Sequence, residues 1–214
     1  MRQIIIIGCH TVIPQRIQIL VKLMKFETTK PDEIETRSME IITAELGGKS
    51  LPEPDFSILK RCIHTSADFD YFDNLTFSKY AAVKGIESIR RGACIVTDTK
   101  MAAAGINKIK LKAYGGEVQC YISDDEIVKD AKEAGCTRAV MSMRKAAKLR
   151  GEGIFAIGNA PTALMELDRL MRDEGIRPAM IIGVPVGFVN VVESKELIMA
   201  TCEEFGIPYI VARG

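Results

Sequence analysis

Apolar positions along the chain follow two different rhythms. From residue 93 onward, short apolar runs at 93–97, 117–122, 153–157, 179–184 and 208–211 read as buried strands. Amphipathic stretches lie between them. In 161–173, Leu164, Leu167, Leu170 and Met171 fall on one helical face, and Leu197, Ile198, Thr201, Cys202 and Phe205 do the same further on. Pro161 suits a first helical turn, and Gly175 and Gly206 stand where helices stop. Five strands alternating with helices predict an α/β fold: a five-stranded, mainly parallel, doubly wound sheet of flavodoxin-like type.

The first 92 residues read as helical. Residues 31–46 place Ile34, Ile41, Ile42 and Leu46 on one face, 55–65 form a second helix, and 78–90 turn Ala82, Ile86 and Ile89 inward. Three short helices make a poor core alone, so this amino-terminal portion is expected to pack on the sheet. No internal repeat and no Ser/Pro-rich linker interrupts the chain. The expected division is an extension over 1–30 and a single domain over 31–214.

Composition narrows the function classes. Of 214 residues, 47% are hydrophobic and 27% charged, a globular balance that excludes intrinsic disorder. A net charge of +1 argues against nucleic acid as partner, because dedicated binders carry a marked basic excess. The run Ile4-Ile5-Ile6-Ile7 is too short for a signal-peptide core or a membrane span, so no membrane partner is expected. Cys9, Cys62, Cys94, Cys120, Cys136 and Cys202 include no C-x-x-C pair, and His10 and His64 are the only histidines. Zinc-ligand spacing is absent, and scattered thiols of this kind fit a cytoplasmic protein.

Open α/β sheets bind ligands at the carboxyl ends of their strands. Three such ends carry small or polar turns: Thr97-Asp98-Thr99-Lys100-Met101, Gly158-Asn159-Ala160-Pro161-Thr162 and Gly183-Val184-Pro185-Val186-Gly187-Phe188. Each composition also follows from turn chemistry alone. The second turn opens a helix whose free N–H groups are placed to face an anion. His64 reads either as a structural histidine or as a proton donor, and its spacing from Cys62 disfavours a Cys–His pair. Ser38 puts a hydroxyl on the apolar face of its helix, where it serves a ligand or bonds back to a carbonyl one turn earlier. Arg144 and Lys145 follow Ser142 and read equally as a solvated helix face. No G-x-S-x-G elbow, G-x-G-x-x-G turn or P-loop occurs.

Taken in order, these segments resemble the precorrin-8X methylmutase (cobalt-precorrin-8 methylmutase) family of cobalamin biosynthesis. The likeness runs through Ile34-Glu35-Thr36-Arg37-Ser38, Ile63-His64-Thr65-Ser66-Ala67-Asp68-Phe69, Asn74-Leu75-Thr76-Phe77, Thr97-Asp98-Thr99 and Met143-Arg144-Lys145-Ala146. It continues through Ala156-Ile157-Gly158-Asn159-Ala160-Pro161-Thr162-Ala163-Leu164, Ile182-Gly183-Val184-Pro185-Val186-Gly187-Phe188 and Glu193-Ser194-Lys195. Residues 1–23 extend beyond the family's expected amino end, with Met24-Lys25-Phe26-Glu27 reading as a native start. Lys100 stands where an uncharged residue is expected.

The resemblance implies an isomerase that moves a methyl group from ring carbon 11 to ring carbon 12 of a contracted tetrapyrrole, a 1,5-sigmatropic shift yielding hydrogenobyrinate or cobyrinate. It implies a flavodoxin-like three-layer α/β/α sandwich, a homodimer with the active site at the subunit interface, no cofactor and no protein-bound metal. His64 takes the catalytic role. Ser38, Thr97, Asp98, Thr99, Arg144, Asn159 and Thr162 take substrate contacts, with Arg144 gripping a carboxylate and Gly183 and Gly187 leaving room for the macrocycle. General acid assistance from an imidazole at a ring nitrogen fits such a shift. The competing readings are a flavin- or nucleotide-binding protein of the same fold class and a tetrapyrrole carrier that binds without turnover.

Overall fold

Six strands, β1 (Leu75–Phe77), β2 (Ile95–Thr97), β3 (Val118–Gln119), β4 (Ile154–Ile157), β5 (Met180–Gly183) and β6 (Tyr209–Ala212), make one sheet in the order β1-β6-β5-β4-β2-β3. This computed structural model describes Lys30 and residues 33–213. The chain divides into two compact units, Met1–Glu40 and Ile41–Gly214. Described residues of the first unit carry the opening turns of helix α1 (Ile34–Glu45). The 4–7 run and the expected start at Met24 lie outside the described residues.

The five strands expected from the sequence are present and pair in parallel with their neighbours. β1 is an addition: it pairs antiparallel with β6, Leu75 opposite Ala212 and Phe77 opposite Ile210. Three residues are too few to show a period of two, so the pattern of the chain alone conceals it. Tertiary bonds hold it in place. Ser78 N–H donates to the Tyr209 carbonyl at 3.0 Å, and the Ser78 hydroxyl accepts from Tyr209 N–H at 2.9 Å. The β6 edge, otherwise open to pairing, is thereby covered.

The remaining helices are α2 (Asp55–Ser66), α3 (Tyr71–Asn74), α4 (Ala81–Arg90), α5 (Lys100–Gly105), α6 (Lys108–Ala113), α7 (Asp125–Glu133), α8 (Arg138–Arg150), α9 (Pro161–Asp173) and α10 (Val191–Phe205). The connections from β3 to β4, β5 and β6 step one way across the sheet, and the connection from β2 to β3 steps back. Right-handed crossovers therefore put α5 and α6 on the face opposite α8, α9 and α10. Val96, Phe155, Ile157, Ile181 and Val211 meet Leu164, Leu167, Leu170 and Ile198 in one buried cluster. Successive strand residues alternate faces, so Met180 points the other way from Ile181. There it meets Gly85 of α4, where an added Cβ would stand 2.7 Å from Met180 Sδ. The glycine lets α4 approach the sheet closely.

Counted from β2, the parallel strands lie in the order 2-1-3-4-5. Strand order reverses between β2 and β4, and the carboxyl ends there are Thr97 and Ile157. Open sheets of this type present a crevice at such a reversal. Among the described residues no helix is long and apolar enough to cross a membrane.

Candidate functional site

Three backbone N–H groups converge on one buried carboxylate at this reversal. Asp98 is 1% exposed; its Oδ1 accepts from Gly158 N–H at 2.9 Å, and its Oδ2 from Asn159 and Ala160 N–H at 2.8 Å each. From the sequence, these N–H groups are expected to face a ligand carboxylate and Asp98 to face the substrate. Instead, the chain supplies its own anion to the turn before α9, which satisfies donors that the helix cannot. Thr97 is fully buried and donates its hydroxyl to the Thr99 carbonyl at 3.0 Å. Thr99 Oγ1 accepts from Ala102 N–H at 3.1 Å and caps α5.

These turns wall a cleft of about 570 Å³, lined by Asp98, Thr99, Lys100, Ser123, Thr137, Arg138, Asn159 and Thr162 among others. Thr137 caps α8 by accepting from Val140 N–H at 3.2 Å, and its hydroxyl shares a 3.0 Å hydrogen bond with that of Thr162. Asn159 is exposed on the rim.

Two cations face this cleft. Lys100 opens α5 and Arg138 opens α8, and neither makes an ion pair among the described residues. A positive charge in the first turn of α8 opposes the helix dipole at a cost of about 0.3–1 kcal/mol. No ion pair within the described chain offsets that cost, and the cleft is suited to an anionic ligand. The motifs of the sequence do not single out Arg138. The available signal was a Thr helix cap followed at once by a cation against the dipole.

Arg144 sits elsewhere. Its Nε donates to Glu166 Oε1 at 2.8 Å and its Nη2 to Oε2 at 3.4 Å, and it does not line the cleft. Arg169 Nη2 bonds the same Oε1 at 2.6 Å. Burial alone pushes the Glu166 carboxyl up, but the hydrogen bonds from Arg144 and Arg169 outweigh it and hold it below the ordinary carboxylate range. Neighbouring Lys145 is bridged to Asp124 and Glu126.

His64 lies half-buried in the last turn of α2 and is not among the residues lining the cleft. Burial pushes the Cys62 thiol up, which suits a packed thiol rather than a nucleophile. Ser38, in the first unit, donates its hydroxyl to the Ile34 carbonyl at 2.8 Å. Gly183 serves packing rather than a ligand face: an added Cβ would meet Val211 at 3.3 Å and Leu164 at 3.4 Å. Gly187 has φ +139° in a loop where Phe188 is fully exposed.

The family described as precorrin-8X methylmutase matches residues 33–214. A cobalt-precorrin-8 methylmutase of Priestia megaterium is 46% identical over 169 residues, 79% of this chain and 75% of that protein. One from Leptospira interrogans is 43% identical over 185 residues, 85% of this chain and 84% of its own length. The crystal structure of a precorrin-8x methyl mutase from Thermus thermophilus superposes with a TM-score of 0.77 at 37% identity, covering 86% of each chain. The parallel sheet, the ordered motifs and these likenesses converge: the chain belongs to the precorrin-8X methylmutase family.

Proposed function

We infer that this chain catalyses the methyl shift from ring carbon 11 to ring carbon 12 of precorrin-8, as an isomerase of cobalamin biosynthesis. The observation that carries the reading is the family match over residues 33–214, which spans both the His64 helix and the cleft at the strand-order reversal. Conversion of purified precorrin-8 by the isolated protein tests it. Binding without turnover would support the carrier reading instead.

A sigmatropic shift inside a conjugated macrocycle depends on the tautomer and protonation state of the ring. His64 is assigned the proton transfer to a ring nitrogen. Arg138 and Lys100 are assigned two of the peripheral carboxylates, with the planar fork of Arg138 suited to bidentate binding. Arg138 thereby takes the task expected of Arg144. Thr99, Asn159 and Thr162 supply polar contacts at the rim. Thr97 and Asp98 shape the wall. The relatives from Priestia megaterium and Leptospira interrogans are named for the cobalt-containing precursor, which favours a cobalt-bearing substrate.

Within one chain His64 does not line the cleft, and Val186, Phe188 and Val189 expose a large apolar loop. Both features support a homodimer in which each site joins His64 of one subunit to the cleft of the other. Mixing His64→Ala and Arg138→Ala proteins tests this arrangement. Random exchange would restore about a quarter of parental activity if the residues come from different subunits of a two-fold dimer. Absence of any rescue would place both in the same subunit.

A further inference from the structure

A second cleft opens at the other end of the strands. The turns entering β2, β3 and β4, side by side in the sheet, form its floor, and it encloses about 990 Å³. Glycines 92, 115, 116, 151 and 153 line it. Gly116 and Gly153 are required by the chain itself, since an added Cβ would stand 2.8 Å and 2.9 Å from the carbonyls of Ala93 and Cys94. The wall is partly apolar, with Leu149 half-exposed above the backbone floor.

Charge gathers at this end as well. Four cations, Lys108, Lys112, Lys148 and Arg150, face two carboxylates, Glu117 and Glu152, in a chain whose net charge is +1. Arg150 is neutralised, bonding Glu117 Oε1 at 3.1 Å and 2.8 Å. The three lysines make no ion pair or hydrogen bond among the described residues. Placement in a last helical turn accounts for Lys112 and Lys148 through the helix dipole, but Lys108 opens its helix. The cleft therefore joins an apolar wall to unneutralised positive charge on opposite sides, from α6 and from the end of α8. Its volume is at the upper end of small-ligand sites.

We propose that this cleft is a second ligand site, for a molecule that joins several anionic groups to an apolar ring body. A nucleoside triphosphate and the corrin polycarboxylate released by the reaction share that chemistry. The corrin case rests on the function proposed above, whereas the nucleotide case does not.

Calorimetric titration of the full chain at physiological salt separates these outcomes, with ATP, cobyrinate and inorganic triphosphate as probes. Saturable binding of ATP assigns the site to a nucleotide, and a second equivalent of cobyrinate assigns it to the corrin. In either case Lys112→Glu/Lys148→Glu is expected to weaken that binding about 10–100-fold and leave turnover unchanged. Raising salt to about 0.5 M should weaken it in the parent protein too, a readout independent of the variant's folding. Binding of neither ATP nor a second cobyrinate, or binding indifferent to both the lysines and salt, overturns the proposal. Inorganic triphosphate binding as tightly as the organic probe overturns the part given to the apolar wall.

Discussion

Asp98 and Ala160 are 62 positions apart in the chain, yet the Asp98 carboxylate accepts from Ala160 N–H at 2.8 Å. The bond ties the carboxyl end of β2 to the turn that follows β4, across the point where strand order reverses. It fixes the two walls of the cleft relative to each other. The same carboxylate holds Gly158 and Asn159, so one side chain sets the path of three peptide groups.

Replacing that carboxylate with an amide should therefore loosen both the fold and the cleft. Asp98→Asn puts an NH₂ group against backbone donors, and the loss is expected to be roughly 2–4 kcal/mol. Chemical denaturation measures it, and cobyrinate titration should show weakened binding in the same variant. Unchanged stability would mean that the turn holds its shape unaided.

Two arginines of α8 should behave in opposite ways. Arg138→Ala is expected to weaken cobyrinate binding about 10–100-fold, the loss of a charge-assisted hydrogen bond, with no loss of stability. Arg144→Ala should lower stability by roughly 1–2 kcal/mol through its bond to Glu166 and leave affinity near the parent's. Titration and denaturation of both variants decide it. An affinity loss in Arg144→Ala alone would return the substrate contact to Arg144.

His64→Ala should retain cobyrinate binding while turnover falls by about 10²–10⁴-fold, the usual range for general acid assistance. Single-turnover conversion of precorrin-8 reads the rate directly. Activity within a few-fold of the parent would remove the imidazole from the mechanism.

Glu166 gives the fold an acid limb. Its carboxyl lies below its ordinary value in the folded chain, so the unfolded chain binds the proton more readily. Its stabilising contribution is present above the ordinary carboxylate range and is lost as pH falls through the folded value. Glu166→Gln should lower stability at neutral pH by roughly 1–3 kcal/mol and flatten the decline on acidification. Denaturation midpoints between about pH 7 and pH 3 show whether the two proteins converge.

Much of this molecule is determined by local pattern. The parallel strands, Pro161 opening α9 and the stop at Gly206 follow from hydrophobic period and turn chemistry, which act over a few residues. The ordered motifs from Ser38 to Lys195 likewise determined the family. What the sequence did not disclose depends on partners far away in the chain. β1 exists because β6 offers it an edge, and Arg144 is engaged because Glu166 lies one helix away. Arg138 acquires its place only when α8 and the β4–α9 turn meet at one cleft. Asp98 became a support for the wall for the same reason: a carboxylate at a strand end is equally suited to a ligand or to the chain's own N–H groups. Only tertiary structure decides which lies within hydrogen-bonding distance.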